Sequence, residues 1–210
     1  MNRTVRRRVF LVATFLLLAA AYLSPLADWG EHRSFAAHMA QHLLIGDLAA
    51  LTLVLSGIGR LPRVVLVVAL PIWVVDLALW HVPAIYEAAL HHVLMHEVQH
   101  AALWVSGILL WSAILTGVLT IGARLAVLVG MMISGLAISS VFLWWPRVLY
   151  STYTHAHHLA GMSGLTDQRV GGGLMLLEGM LVGLAAAGWL IVQLLREDVP
   201  AAREGASPSL

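Results

Sequence analysis

Two stretches of this 210-residue chain carry the residue types best suited to chemistry, His38-Met-Ala-Gln-His42 and His96-Glu-Val-Gln-His100. In each, two imidazoles stand four residues apart. On a helix that spacing puts both rings on one face, about 40° apart. Four neutral imidazoles from two packed helices suit Cu(I), Cu(II) or Zn(II), and Met39, Met95 or Met162 can add a thioether where the ion is Cu(I). The chain has no cysteine, which removes disulfides, thiolate copper sites and iron–sulfur clusters and leaves His, Met and carboxylates as ligands.

The carboxylates read differently from one another. Asp47 falls about 180° around an α-helix from His38, so it is expected to face another helix rather than the ring pair. Asp76 lies five residues before His81, about 7.5 Å deeper along a helix. It fits two roles equally, an acceptor orienting a ligand histidine or a helix–helix hydrogen bond. Asp167 and Glu178 share a helix face, as a proton path or a polar packing stripe. The run Thr154-His155-Ala156-His157-His158 is either a surface metal-capture segment or an exposed loop.

The elements that position these residues are membrane helices. Hydrophobic residues make up 60% of the chain and charged ones 11%, and mean hydropathy is +0.86. Six apolar runs follow: Val9 to about Ala27, Phe35 to Gly57, Val64 to His81, Leu94 to Gly117, Leu125 to Trp145, and Asp167 to Leu195. Each is long enough to cross about 30 Å of hydrocarbon at 1.5 Å per residue. The first has a rival reading as a signal peptide, because Arg7-Arg8-Val9-Phe10-Leu11 faintly resembles a twin-arginine signal. Pro71 predicts a kink in the third run, and residues 84–90 a short surface helix behind Pro83. Small residues every four positions, Gly179-Gly183-Ala187 and Gly130-Ser134, predict close helix approach. The expected organisation is a basic N-terminus at 1–8, a six-helix all-α membrane domain at 9–195, and a disordered tail at 196–210.

Orientation follows from the arginines. With the N-terminus cytoplasmic, nine arginines lie on the inner side and three, Arg33, Arg147 and Arg169, on the outer, and both termini are inside. The arginines are spread among loops and form no basic face for nucleic acid. All eleven histidines then fall on the outer side: His32, His38, His42, His81, His91, His92, His96, His100, His155, His157 and His158. That segregation, together with the cost of ionisable groups within spans, favours a shared site over scattered structural roles.

Several of these stretches together resemble one family. His38 to His42, Trp80-His81-Val82-Pro83 running on to Leu90, His96 to His100 followed by Gly107 and Trp111, Pro146 to Tyr150, and Gly164-Leu-Thr-Asp167-Gln168 resemble the CtaG-type assembly factors of bacterial caa3-type cytochrome c oxidases. The resemblance covers roughly residues 35 to 195. It implies a multi-pass protein of the bacterial plasma membrane that works with cytochrome c oxidase subunits, helping copper reach the oxidase, with no enzymatic step of its own. Carried over position by position, the family's histidines are His38, His42, His81, His96 and His100, with Tyr150, Asp167 and Gln168 as further motif positions. Beside the five metal candidates, Tyr150 and Asp167 from the resemblance and Asp76, His155, His157 and His158 from the residues themselves are the accessory candidates. Two features depart from the family pattern: six spans stand where seven are common, and Arg169 follows Asp167-Gln168 where another Gln is commoner. A homo-oligomer is left open. Zinc is the alternative ion. The rival functions are a haem-binding membrane cytochrome and a metal or proton transporter. Against haem, rings at i and i+4 on one helix cannot bind opposite faces of one macrocycle, though one ring from each helix could. Against a transporter, few polar residues continue towards the inner side.

Overall fold

The structure, a computed structural model, describes residues 2–59, 61–156 and 159–204. Among them there is no strand. The main helices are α1 (Arg3–Leu23), α2 (Leu26–His32), α3 (Phe35–Leu55), α4 (Arg63–Trp80), α5 (Pro83–His91), α6 (Val93–Leu115), α7 (Ile121–Trp144) and α8 (Gly164–Glu204). Five of these, α3, α4, α6, α7 and α8, are long and apolar enough to cross a membrane, and the number is six where α1 and α2, bent by 45° at their break, are taken together as one span. The all-helical membrane bundle expected from the sequence is therefore present.

Three helices depart from a straight course, two of them beside a proline. The first span does not run unbroken to Ala27, because Ser24 stands in extended conformation ahead of Pro25, which disfavours helical geometry in the residue before it. The chain bends there and re-enters as α2. In α4 the helix loosens at Val67 and Val68, one turn before Pro71, which supplies no N–H for the Val67 carbonyl. In α3 the seven residues Leu43–Ala49 form a π-helical turn directly after His42. Nothing in the apolar pattern announces it. At the other end, α8 begins at Gly164 rather than Asp167 and continues past Leu195 to Glu204.

Close approach at glycine sets the central crossing. A β-carbon on Gly107 of α6 would stand 1.8 Å from the Gly46 carbonyl oxygen, so α3 and α6 touch backbone to backbone at the π turn. Of the predicted small-residue positions, Gly130 receives the Leu70 side chain and Gly183 that of Met132, while Gly179 has nothing within 4 Å. Below the crossing, Ala50, Leu110, Trp111, Ile114 and Leu128 form an apolar core. At the histidine end Phe35, Tyr86, Phe142, Tyr150 and Tyr153 form an aromatic one. On the outside, Val129, Ile133, Leu136, Leu177, Leu181 and Leu184 are exposed along α7 and α8, a surface suited to lipid.

Candidate metal centre

The site starts with the first turns of α3. Ser34 caps that helix, its hydroxyl accepting from the Ala37 amide at 3.1 Å. Asp167 on α8 completes the cap from across the bundle: its carboxylate accepts from the Ser34 hydroxyl at 2.6 Å, the Phe35 amide at 2.6 Å and the Ala36 amide at 3.4 Å. A carboxylate at a helix N-terminus satisfies donors that would otherwise be orphaned, and it complements the helix dipole. The turn so anchored presents His38 and His42. Beside it, Gln168 accepts from the Leu149 amide and donates to the Arg147 carbonyl, holding the connection between α7 and α8 against the head of α8.

Four rings meet where α3 crosses α6. Ring centroids are 4.2 Å apart for His38 and His42, 4.2 Å for His96 and His100, 5.4 Å for His38 and His96, and 5.3 Å for His42 and His100. The four thus form a closed ring of neighbours, and all are buried. His38, His42 and His96 each offer a nitrogen within 4.8 Å of the others. His81, at the end of α4, joins them through a shared cavity of about 320 Å³ that it lines together with His42.

The hydrogen-bonding state of these rings is the informative part. His38, His42, His81, His96 and His100 all have a buried Nε2 with no hydrogen-bond partner. Buried polar atoms are normally satisfied, and five orphans of the same kind at one place are not explained by packing. Two of the tautomers follow from the other nitrogen. Nδ1 of His81 lies 2.7 Å from the Leu77 carbonyl, which can only accept, so Nδ1 carries the proton and Nε2 the lone pair. Nδ1 of His96 lies 3.4 Å from the Glu31 carboxylate, which favours the same tautomer there. The donor set fits a borderline or soft metal ion held by imidazole nitrogen.

Three tyrosines brace this end. Tyr86 of α5 stacks on Tyr150 at 3.8 Å and lies 5.0 Å from His38. The Tyr150 hydroxyl donates to the His81 carbonyl at 3.1 Å, and that of Tyr153 donates to the Gly30 carbonyl at 2.5 Å. Tyr86 in turn hydrogen-bonds Tyr153 at 3.0 Å. Burial pushes all three phenols above their ordinary range, so each remains a protonated donor. From the first span, Tyr22 places its ring edge-on 5.4 Å from His100.

The remaining candidates fall outside the cage. Asp76 does not orient a ring: it accepts from Trp80 Nε1 at 2.7 Å and from the Ser106 hydroxyl at 2.6 Å, tying α4 to α6. Of its two expected roles the structure shows the helix–helix bond. Asp47 accepts from Trp111 Nε1 at 2.6 Å, yet lines the same cavity as His42, because the π turn shifts the phase that a regular α-helix would give. His155 is exposed and makes no ring contact or hydrogen bond with the four. His157 and His158 lie outside the described residues. Sequence reasoning missed Glu31, which has no fixed spacing from His96, and the buried pair Gln41 and Gln99, each just before the second histidine of its stretch. That shared Gln-His step was the available signal.

A polytopic helical membrane protein with a buried imidazole cluster at one end of its bundle is the class that this fold and site define. The chain belongs to the cytochrome c oxidase caa3 assembly factor family (Caa3_CtaG), whose model matches residues 2–66 and 63–197. No curated protein and no solved structure matches the chain.

Proposed function

We propose that this protein assists cytochrome c oxidase assembly by binding copper in the cage of His38, His42, His96 and His100, with His81 beside it, and holding the ion for an oxidase subunit to take. The observation that carries this reading is the convergence of five partnerless, buried Nε2 atoms, with the tautomer of His81 set by its other nitrogen and that of His96 favoured by Glu31. Two imidazoles bound to one ion at about 2.0 Å stand about 3.3 Å apart, so loading needs the nitrogens to close by about 1.5 Å, within the reach of side-chain rotation. An imidazole set exchanges metal more readily than thiolates, which suits handing on a cargo rather than keeping a cofactor. No redox or hydrolytic step is asked of the protein. Following the arginine distribution, the cage opens on the outer side of a bacterial plasma membrane, with both termini cytoplasmic.

The haem reading is disfavoured by the packing: His38 and His96 stack at 24° with 5.4 Å between centroids, which leaves no slot for a macrocycle. The test is metal analysis of the purified protein beside a variant with His38, His42, His96 and His100 changed to Ala, together with the copper content of oxidase made in cells carrying each form. We expect the variant to lose bound copper and the oxidase to be copper-poor. Equal copper in the two proteins would remove the ligand assignment.

A further inference from the structure

Near the middle of their spans, two carboxyl groups meet in the apolar interior. Glu178 of α8 and Asp47 of α3 are hydrogen-bonded side chain to side chain. A carboxylate has no hydrogen to give, so a bond between two of them requires a proton held by the pair. Asp47 also accepts from Trp111 Nε1 of α6 at 2.6 Å. Among the described residues no N–H or hydroxyl donates to the buried Oε1 of Glu178, which leaves the proton to offset the charge there. The pair borders the cavity of about 320 Å³ that His42 and His81 also line, each with a buried, partnerless Nε2. Ser139 of α7, fully buried and with a partnerless hydroxyl, lines it as well. A cavity of that size with polar atoms on its wall has room for several water molecules.

The cage itself offers an ion no counter-charge, because imidazoles bind metal as neutral donors. A cation held away from water is costly unless an opposite charge lies near. Glu31 stands beside His96 at the solvent edge, its side chain 36% exposed. Towards the bundle, the titratable groups on the cavity are His42, His81, Asp47 and Glu178. Trp111 and Ser139 carry no charge, and Asp76 of α4 is engaged by Trp80 and Ser106. Against the π turn of α3, α1 has no charged residue from Val9 to Leu23.

We propose that Asp47 and Glu178 are the exchangeable counter-charge of the cage: loading of Cu(I) expels a proton from the pair, so that one positive charge leaves the bundle as one enters. The proposal rests on the reading of the cage as a copper site. In the step a carboxyl O–H bond breaks, its electron pair stays on the oxygen, and the proton passes to bulk water. Nothing is oxidised or reduced. Run backwards, return of a proton to the pair weakens the hold on copper, which gives the cage a means of letting its cargo go.

The experiment uses the full chain in detergent under anaerobic, reducing conditions. Cu(I) affinity is measured between about pH 6.5 and 8.5 against a chelator that does not titrate there, and infrared difference spectra follow the protonated carboxyl band on loading. Wild-type affinity should rise about 10-fold per pH unit, as it must when one proton leaves per ion, and the carboxyl band should fade as copper binds. Glu178→Gln keeps the side chain's size and gives Asp47 a permanent N–H donor. Asp47→Asn keeps an oxygen for Trp111 and gives Glu178 the donor. Both should bind copper with an affinity flat in pH and show no fading band. Copper-loaded wild type with flat affinity and an unchanged band would overturn the proposal and leave the cage standing. A pH dependence undiminished in Glu178→Gln and Asp47→Asn would overturn it too, assigning the proton to the imidazoles. Wild type that binds no copper, or binding undiminished when His38, His42, His96 and His100 are changed to Ala, would bring down the cage reading and the proposal with it.

Discussion

Replacing Gly107 by Ala tests whether the crossing of α3 and α6 is what assembles the cage. The added β-carbon would stand 1.8 Å from the Gly46 carbonyl oxygen and 3.1 Å from Ala50 Cβ, where ordinary contact begins near 3.4 Å. The helices must therefore part by about 1.6 Å at that point, and because the obstacle is backbone, no side-chain rotation relieves it. His38 and His42 travel with α3, and His96 and His100 with α6. Within each pair the centroids stay at 4.2 Å, but the cross-helix separations of 5.4 and 5.3 Å widen. They open to about 7 Å, while nitrogens sharing one ion at about 2.0 Å stand no more than about 4 Å apart. One four-imidazole site becomes two weak two-imidazole sites, with a fall in affinity on the order of 100-fold and a stability loss of about 1–3 kcal/mol. Competition titration with Zn(II) or Cu(I) measures the first, and thermal unfolding the second. X-ray absorption should show about two imidazoles per ion instead of about four. Gly179→Ala, with no atom within 4 Å of the added carbon, is the control and should leave all three readouts unchanged. Wild-type affinity and a four-imidazole shell in Gly107→Ala would refute the claim that this crossing builds the site.

Other consequences can be checked in parallel. Asp167→Ala removes a carboxylate that accepts from Ser34, Phe35 and Ala36. It should cost about 3 kcal/mol in unfolding free energy, because hydrogen bonds to a charged group are worth about 1.5–3 kcal/mol each and the amides of α3 are left unpaired. Metal affinity should fall with it, and a variant as stable as wild type would show that the cross-bundle cap is ornamental. Glu31→Gln weakens the hold on His96 Nδ1 and should lower metal affinity about 10-fold or more without changing the melting temperature greatly. Asp76→Asn should do the reverse, lowering stability by about 1 kcal/mol with unchanged metal affinity, since its partners are Trp80 and Ser106 and no ring. Loss of metal from Asp76→Asn at unchanged stability would contradict that separation.

Much of this architecture was legible because membrane helices write themselves plainly: the apolar runs located the spans, and imidazoles four apart declared a shared face on α3 and on α6. The convergence of the two pairs could be argued from their common depth, and the centroid distances agree with it. What sequence reading could not supply was pairing between distant positions. Nothing near Asp167 says that it caps a helix 132 residues earlier, and nothing near Glu31 points to His96. Asp47 faces α6 as its phase predicts, through Trp111, but its place on the cavity that His42 lines could not be foreseen, because the segment between them is wound more widely than 3.6 residues per turn. The break at Ser24 was written in Pro25, but an apolar run on both sides of it hid the bend.

That wide turn between His42 and Ala50 also bears on how related chains should be compared. A π turn is what a helix does with one surplus residue: it bulges locally, and the segments on either side keep their faces. A relative with one residue fewer there could therefore present the same histidines above and the same tryptophan-bound aspartate below on an unbroken α-helix. Its alignment to this chain would show a single-residue gap in the middle of a transmembrane segment, where gaps are ordinarily penalised. Such a gap should be scored as neutral, and a motif written with rigid spacing from His38 to Asp47 would pass over sequences that build the same cage.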